Sequence, residues 1–325
     1  MEEKLLNVSS SPHVRDNSST KSIMRDVVIA LVPATLVGIC NFGTRALLVI
    51  LTTCVTCVLA EYIWQRLMKQ PVTTSDFSAL VTGLLLALNL PATLPLWMCV
   101  IGGIFAIIIA KQLFGGLGQN FMNPALAGRC FLMLSFSGAM TSFVIAKGNV
   151  IWGGMQAIDG ISSATPLMQV KENGYFDLLK MFLGNTAGTI GETSALAILI
   201  GAAYLLIRKV IDWKIPVIYI LTFSLFDLIY QAATGVNMPL LQELCGGGLM
   251  LGAFFMATDY VTSPITPKGK VIFGIMLGLF TGLFRFFGES AEGVSFAIII
   301  CNLCVPLIER FTIPKAFGKE GKANG

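Results

Sequence analysis

The sequence has little charge and almost no histidine. Charged residues make up 12% of its 325 residues and hydrophobic residues 55%, whereas a soluble domain carries about 25% charged residues. A chain of this composition cannot cover a water-facing surface, so we predict an integral membrane protein. The net charge of +4 does not indicate nucleic-acid binding, because the basic residues cluster at the ends of apolar segments.

Other absences exclude whole classes of site. His13 is the only histidine and lies in the polar N-terminal stretch, which excludes a bis-histidine haem and a multi-histidine metal site. The sequence also lacks a P-loop, a dinucleotide-binding glycine motif, a nucleophile triad and a cleavable signal peptide. Two Cys-x-x-Cys pairs occur, Cys54 with Cys57 and Cys301 with Cys304. Each pair lies inside an apolar segment with no turn to wrap a metal, so we interpret these cysteines as packing residues.

What the chain does contain is a series of apolar segments. Several are shorter than the ~20 residues that a perpendicular span needs, and glycine or proline interrupts others. We therefore predict an all-α polytopic membrane protein with about ten transmembrane helices, some of them broken. The ten segments run over residues 22–40, 43–60, 77–91, 94–110, 123–139, 192–208, 214–232, 244–258, 271–287 and 293–309.

The basic residues predict an orientation for these helices. If the N-terminus is cytoplasmic and ten helices alternate, 17 of the 22 lysines and arginines fall on the cytoplasmic side and 5 on the other. Such a bias is the usual signature of topology. We therefore expect both termini in the cytoplasm and the long loop, residues 140–191, outside it.

Five segments on each side of one long loop suggest a duplication, and an odd number per half makes the repeat inverted. Weak matches agree, with Gly83–Ala87 resembling Gly248–Gly252 and Leu113–Gly115 resembling Phe286–Gly288. The predicted organisation is an N-terminal cytoplasmic tail (1–21), a first five-helix repeat (22–139), an extracytoplasmic loop (140–191), a second repeat (192–311) and a C-terminal cytoplasmic tail (312–325).

The long loop carries a polar run, Asp-Gly-Ile-Ser-Ser-Ala-Thr-Pro over residues 159–166. Three hydroxyls, on Ser162, Ser163 and Thr165, lie within four residues; Asp159 precedes them and Pro166 stiffens the exit. A hydroxyl in an exposed turn can be reached by a modifying enzyme, whereas a buried hydroxyl cannot. The run is therefore a candidate site of covalent attachment.

A second unusual stretch is the glycine-rich turn that ends in Asn120-Phe-Met-Asn123-Pro124. Asn123 can cap a helix that begins at Pro124, since proline is tolerated in the first turn. Free N–H groups at such a helix start can hold an anion or a polar ring. The turn is either a plain connection with a good cap or a cofactor cradle at the cytoplasmic side.

Acidic residues near or inside apolar segments are functional candidates, because they are costly in a membrane unless paired or hydrated. Asp259 lies in an Ala-Thr-Asp-Tyr-Val-Thr-Ser-Pro turn and is either a helix-end residue or a flavin or ion contact. Asp227 lies well inside apolar sequence and is either a satisfied structural group or part of an ion path. Arg285, Glu289 and Glu292 form either a solvated hairpin or the surroundings of Thr165, and Glu289 is also an ion-path candidate.

Four of these stretches together resemble one family. They are the run ending at Thr165, the Asn123-Pro-Ala turn, the turn over Ala257–Pro264 and the Glu292–Ala297 helix start. They are similar to the D subunits of Rnf ion-translocating electron transport complexes and to the homologous B subunits of sodium-pumping NADH:quinone reductases. The resemblance covers about residues 20–312. The short N-terminal tail favours the Rnf D branch, and Ser163 departs mildly from the glycine of many members.

The resemblance implies a flavoprotein. In this family a flavin transferase attaches FMN through its phosphate to the motif threonine, here Thr165, with Asp159, Ser162, Ser163 and Ala164 around it. It also implies a noncovalent riboflavin or second flavin, for which the Asn120–Asn123 turn is the candidate site. Asp259 is a further candidate cofactor contact.

The resemblance further implies a membrane component of a bacterial inner-membrane complex. Such a complex passes electrons between ferredoxin and NAD and couples this to Na⁺ or H⁺ translocation. The expected partners are the A, B, C, E and G subunits of the Rnf complex and membrane lipid, with no nucleic acid and no complete active site in this chain alone. The alternative hypothesis is an inverted-repeat solute channel or transporter without a redox cofactor. The hydroxyl-rich run distinguishes the two, because a transporter has no use for it.

Overall fold

The computed structural model describes residues 19–143, 177–184, 186–235, 239–288 and 293–314. Within these ranges the chain forms helices and no strand, which confirms the all-α prediction. We number the α-helices in chain order: α1 Thr20–Leu67, α2 Ser78–Leu88, α3 Leu96–Ile104, α4 Pro124–Ser135, α5 Ser137–Met140, α6 Leu178–Leu183, α7 Ala195–Ile207, α8 Lys214–Thr234, α9 Leu240–Cys245, α10 Leu249–Leu251, α11 Pro267–Phe287 and α12 Val294–Thr312. Helices α3 and α10 continue as π-helical turns over Phe105–Ile109 and Gly252–Met256, and two 3₁₀ turns lie at Thr74–Asp76 and Gln112–Phe114.

Helix α1 consists of two helical stretches separated at Gly43. Gly43 has φ 66° and ψ −148°, which is outside the helical region and is a conformation that glycine adopts far more readily than other residues. The two stretches coincide with the predicted segments 22–40 and 43–60. The chain therefore turns at this glycine, although the helical hydrogen-bond pattern is nearly continuous across it.

The two stretches of α1 run in opposite directions, which defines two faces of the molecule. The ammonium group of Lys21 lies 5.7 Å from the ring centre of Phe77, and the carboxylate of Glu61 shares a lysine partner with Ser78, the next residue along. Both ends of α1 therefore lie beside the start of α2, at what we call the N-terminal face. Gly43 lies at the opposite face, which we call the loop face.

Five helices in the described ranges are long and apolar enough to cross a membrane, and three shorter apolar helices accompany them. The long ones are α1, the α3 segment (Leu96–Phe114), α8, α11 and α12, and the short ones are α2, α4 and α7. Every apolar segment read from the sequence is helical for most of its length. The chain is thus a multi-pass membrane protein in which some apolar helices are too short to span a membrane on their own; we call these the partial segments.

The partial segments meet inside the protein. At the end of α2, the carbonyl of Leu88 accepts a hydrogen bond from the N–H group of Gly191 at 2.7 Å. Two residues later, the carbonyl of Leu90 accepts one from the N–H group of Ile190 at 3.0 Å. Irregular backbone is tolerated at membrane depth only where protein covers it, and these two segments cover each other. A β-carbon at Gly191 would lie 2.5 Å from the β-carbon of Leu88, so the close approach requires glycine.

Candidate functional site

A pocket lies between the two halves of the chain on the N-terminal-face side. It is a cleft, part of which is open to the exterior. The first half contributes the start of α1, one side of α2 and the turn before α4, while the second half contributes Phe254–Val261 and the end of α7. Its polar lining residues are Ser78, Thr82, Lys111, Asn120, Asn123, Thr258, Asp259 and Tyr260.

Asn123 has the capping role that the sequence predicts. Its side-chain oxygen accepts hydrogen bonds from the N–H groups of Ala125 and Leu126 at 3.0 and 3.4 Å, and Pro124 occupies the first helical position. Its side-chain nitrogen donates to the carbonyl of Met256 at 3.4 Å. Asn123 therefore caps α4 and also ties the first half of the chain to the second.

Asn120 differs from Asn123 in having a buried acceptor without a partner. Its amide nitrogen donates to the carbonyl of Met122 at 3.2 Å, but its Oδ1 atom has no hydrogen-bond partner among the described residues. The side chain is 6% exposed and lines the pocket. A buried polar atom without a partner is rare in proteins. Among the described residues, Asn120 therefore brings an unused hydrogen-bond acceptor to the pocket lining.

Asp259 lies in the same pocket, as part of the second-half turn. Its carboxylate accepts from the N–H of Val261 at 3.4 Å and from the hydroxyl of Thr262 at 3.1 Å. Burial raises the pKa of the Asp259 carboxyl above its ordinary value; the two hydrogen bonds and the charge of Lys111 act in the opposite direction but offset only part of this effect. The tertiary fold therefore brings Asp259 together with Asn120 and Asn123, which belong to a separate motif in the sequence.

A residue of α12 joins the two turns. With its amide in the orientation that satisfies both ends, Asn302 accepts from the backbone N–H of Asn123 at 3.2 Å and donates to the carbonyl of Thr262 at 3.1 Å. The side chain is buried. The floor of the pocket is thus held by a polar contact that connects α4, α12 and the turn of Asp259.

One wall of the pocket is a buried ion pair. Lys111 donates to both carboxylate oxygens of Glu61 at 3.1 Å and to the hydroxyl of Ser78 at 2.7 Å, and Gln112 donates to Glu61 at 2.8 Å. Both charged side chains are almost fully buried, at 2% and 1% exposed. The charge pattern of the sequence would place Lys111 at the membrane surface. Instead, the lysine is buried and pairs with an internal carboxylate.

A second buried ion pair lies where the partial segments meet. Arg129 in α4 donates to Glu192 at 2.8 Å and to the side-chain oxygen of Asn89 at 2.6 Å. The two charged side chains are 6% and 5% exposed. Asn89 directly follows α2 and Glu192 precedes α7, so this pair connects elements from both halves of the chain.

A third cluster lies toward the loop face and contains Asp227. Arg285 donates to the carboxylate of Glu243 at 3.2 Å and to its carbonyl at 2.6 Å, and both side chains are 0% exposed. The guanidinium also lies 4.9 Å from the ring centre of Phe223. Asp227 is fully buried, and its carboxylate accepts a hydrogen bond from the side-chain amide of Gln231 at 2.9 Å. The positive charge of Arg285 also acts on this carboxylate.

This last cluster corrects one of the two interpretations of the Arg285 region. A solvated hairpin would leave Arg285 exposed, but the side chain is completely buried. Arg285 is held by Glu243 and by the carbonyls of Gly246 and Gly247, at 3.1 and 3.4 Å. The other acids of that predicted hairpin, Glu289 and Glu292, lie outside the described residues.

The candidate attachment site also lies outside the described residues. This applies to Thr165 and to its predicted surroundings, Asp159, Ser162, Ser163 and Ala164. Their assignment as a covalent flavin site therefore stays a prediction from the sequence.

Sequence reasoning missed most of the buried charges. The signal was present, because Glu61, Lys111, Arg129, Glu243 and Arg285 all lie in or beside apolar segments, and an ionisable residue at such a position is a functional candidate by default. What the sequence does not give is the partner of each charge. Only the paired arrangement distinguishes these residues from ordinary helix-end charges.

The pocket combines apolar and polar side chains. Phe254, Phe255 and Leu85 contribute aromatic and aliphatic surface, Asn120 contributes an amide oxygen without a partner among the described residues, and Lys111 contributes an ammonium group that is paired with Glu61. Among the described residues no group of three metal-ligating side chains occurs.

Comparison with known proteins gives one consistent result. The model of the NQR2, RnfD, RnfE family matches residues 7–318. A curated relative from Acetobacterium woodii, the D subunit of the Na⁺-translocating ferredoxin:NAD⁺ oxidoreductase complex, is 46% identical, and the alignment covers 99% of this chain and 100% of the relative. The D subunit of the proton-translocating ferredoxin:NAD⁺ oxidoreductase complex of Clostridium ljungdahlii is 41% identical over 98% of each chain. The D subunit of the ion-translocating oxidoreductase complex of Yersinia enterocolitica is 39% identical over 97% of this chain and 99% of the relative.

Proposed function

The chain belongs to the NQR2, RnfD, RnfE family, and from this premise we propose that it is the D subunit of an Rnf-type complex. Such a complex couples electron transfer between ferredoxin and NAD to the translocation of Na⁺ or H⁺. The observation that carries the proposal is the near-complete alignment with relatives named as D subunits of ion-translocating ferredoxin:NAD⁺ oxidoreductase complexes. One of these relatives is named for sodium and the other for protons, so the similarity does not select the coupling ion.

The first part of the proposal is a covalent FMN, joined by a phosphoester bond to Thr165. It is supported by the run Asp159-Gly-Ile-Ser-Ser-Ala-Thr165, which resembles the flavinylation motif of the family. A flavin transferase is the expected maturation partner. The distribution of basic residues favours a loop outside the cytoplasm for Thr165, and both termini inside, in the bacterial inner membrane.

The second part is a noncovalent flavin in the pocket between the two halves. Bound there, a flavin supplies one- and two-electron transfer. Asn120 would hold the ring through its unpartnered side-chain oxygen, which accepts an N–H group. Asn123 would fix the position of that turn by capping α4, and Phe254, Phe255 and Leu85 would keep water from the ring faces.

Charged residues also line the pocket. Lys111 places an ammonium group at the wall, and Glu61 compensates its charge at 3.1 Å. Asp259 adds a negative charge where it is ionised, and burial raises its pKa and so favours the neutral acid.

The covalent part is tested by in-gel flavin fluorescence of the denatured chain after co-expression with an active flavin transferase. We expect a fluorescent wild-type band, a dark Thr165→Val band, and fluorescent Ser162→Ala and Ser163→Ala bands as matched controls. A dark wild type, with the transferase active on another target, would refute the attachment. It would also return the solute-transporter hypothesis to consideration.

The noncovalent part is tested by extracting flavin from the purified complex with acid, which leaves the phosphoester-bound flavin on the protein. We expect Asn120→Leu to lower the extracted flavin per complex, whereas Asn120→Asp retains the acceptor oxygen and a larger share of the flavin. Asn41→Leu, which removes an amide that donates to the carbonyl of Gly184 at the loop face, is the control. Equal flavin in the wild type and all three variants would exclude Asn120 as a contact.

A further inference from the structure

A short pattern recurs in the two halves of the chain. Residues 59–65 read Leu-Ala-Glu-Tyr-Ile-Trp-Gln and residues 225–231 read Leu-Phe-Asp-Leu-Ile-Tyr-Gln. Matching leucine and isoleucine is common in apolar helices, but an acid followed four residues later by glutamine is not. Glu61 and Asp227 lie six and seven residues before the last residues of their helices.

The contacts of the two acids repeat as well. Gln65 donates its amide N–H to Glu61 at 3.4 Å, and Gln231 donates to Asp227 at 2.9 Å. Each acid lies near a basic residue at the C-terminal end of a helical segment of its own half. For Glu61 this residue is Lys111, just after the π-helical turn that follows α3, and for Asp227 it is Arg285, in the last turn of α11. The first site lies at the N-terminal face and the second toward the loop face, as an inverted repeat requires.

The two sites differ in charge. At the N-terminal face, one carboxylate faces one ammonium group and both oxygens of Glu61 are used. Toward the loop face, the described part of the chain places two carboxylates, those of Asp227 and Glu243, near one guanidinium, that of Arg285, and all three side chains are 0% exposed. Glu243 is the residue that Arg285 contacts directly, while Oδ1 of Asp227 has no partner among the described residues.

Among the residues that the structure describes, the elements around α8 supply no second positive charge near Asp227. The elements packed against α8 are α9, the α10 segment and α11. Within the described ranges, α9 presents Glu243, the α10 segment has no charged residue, and the part of α11 near Asp227 presents Arg285. An uncompensated carboxylate in such surroundings is strongly unfavourable, and a group in that position is neutralised instead.

A proton is the occupant that fits this site. It requires one unpartnered carboxylate oxygen and no cavity, whereas a metal cation requires a shell of several oxygen ligands. We propose that Asp227 binds one proton and is the loop-face counterpart of the Glu61–Lys111 pair. The reaction is the reversible protonation of the carboxylate to the carboxylic acid, with no electron exchanged at the residue. As a step in ion translocation, this inference rests on the proposed function, although the protonation itself does not.

The direct test is infrared spectroscopy of the purified complex through a pH titration in H₂O and D₂O. We expect a carbonyl band of a buried carboxylic acid that shifts to lower frequency in D₂O. Asp227→Asn should lose this band, Asp227→Glu should retain it at a changed frequency, and Asp212→Asn, which alters a partly exposed acid paired with Lys270, should leave it unchanged. Persistence of the band in Asp227→Asn would overturn the proposal. Removal of the band by Na⁺ at constant pH would also overturn it, in favour of a sodium site.

The role in translocation is tested in vesicles that contain the complete complex. Ferredoxin-dependent NAD⁺ reduction and the accompanying ion transport are measured in the same preparation. Asp227→Asn should retain electron transfer and lose coupled transport, with recovery in Asp227→Glu. Coupled transport that is unchanged in Asp227→Asn would overturn the translocation role. Absence of both activities in the wild type would instead contradict the proposed function, and the infrared result would still decide the proton site.

Discussion

The Arg129–Glu192 pair makes a quantitative prediction about how the two halves are held together. Replacing Arg129 by methionine keeps a side chain of similar length but removes the ion pair at 2.8 Å and the hydrogen bond to Asn89 at 2.6 Å. The carboxylate of Glu192 then stays in a position where the side chain is only 5% exposed. Breaking a buried pair by removing one partner costs about 3–5 kcal/mol, because the other charge is left uncompensated.

A smaller effect would be expected if only the hydrogen bonds counted. Polar contacts between membrane helices contribute about 0.6 kcal/mol each on average, so two of them sum to little more than about 1 kcal/mol. The two estimates differ several-fold, and the structure favours the larger one because the stranded group is a charge. Arg129→Met should therefore lower the free energy of unfolding by about 3 kcal/mol or more.

The assay is equilibrium unfolding in mixed micelles, followed by circular dichroism as the denaturing detergent is increased. The control is Lys180→Met, which breaks a lysine–carboxylate pair, with Asp177 at 3.7 Å, where the two side chains are 57% and 45% exposed. An exposed pair contributes about 1 kcal/mol or less. The two variants differ chiefly in the burial of the carboxylate that is left without its partner.

A double-mutant cycle with Glu192→Leu completes the test. The double variant removes both charges, so its loss of stability should be smaller than the sum of the two single losses, by roughly 1–3 kcal/mol. The reasoning would be refuted if Arg129→Met cost no more than Lys180→Met. It would also be refuted if the two substitutions were additive within about 0.5 kcal/mol.

Three further predictions concern packing, pH and capping. Gly191→Ala should lower the free energy of unfolding by about 1–3 kcal/mol, because its β-carbon would lie 2.5 Å from the β-carbon of Leu88. The control is Gly138→Ala, whose β-carbon would meet nothing within 4 Å. Equal unfolding curves for the two variants would contradict the packing argument. Desolvation tends to raise the pKa of Asp212, but the hydrogen bonds and charges of its lysine neighbours outweigh it and lower the pKa below the ordinary value of 3.8. The resulting stability is therefore present at neutral pH and lost as the pH falls through the lowered pKa. Asp212→Asn should lower stability by less than about 1 kcal/mol at neutral pH and have no effect at the acid end, and a loss independent of pH would contradict this. Asn123→Ala should cost about 1 kcal/mol through loss of the cap and Asn123→Asp much less, so equal losses measured by detergent unfolding would argue against capping.

Sequence patterns located the helices well because apolar length is a local property. All ten segments are helical for most of their length, and Gly43 separates the first two as the break between segments 22–40 and 43–60 suggested. The cap at Asn123 was also predictable, since asparagine before proline has a local mechanism. The short segment 77–91 indicated a helix too short to span a membrane on its own. The pairing of its end with residues 190–191 depends on distant sequence.

The charged residues were the least predictable part of the site. Lys111 and Arg129 contribute to the charge bias that predicts topology, yet both are buried in ion pairs with Glu61 and Glu192. A charge count treats every basic residue as a surface group, because the sequence carries no information on lateral neighbours. The solvated interpretation of Arg285 was wrong for the same reason, since its partner Glu243 lies 42 residues away in the sequence.

The sequence by itself determined that this protein lies in a membrane, where its helices run, and which hydroxyl-rich turn resembles a flavin attachment site. Those properties follow from composition and from short motifs. Tertiary structure alone decided that Asn120, Asn123 and Asp259 line one pocket, and that Asp227 retains an unpartnered oxygen near an arginine that contacts another acid. The physical reason is that burial and charge compensation depend on which helices pack together, and helices far apart in sequence become neighbours only in the folded chain.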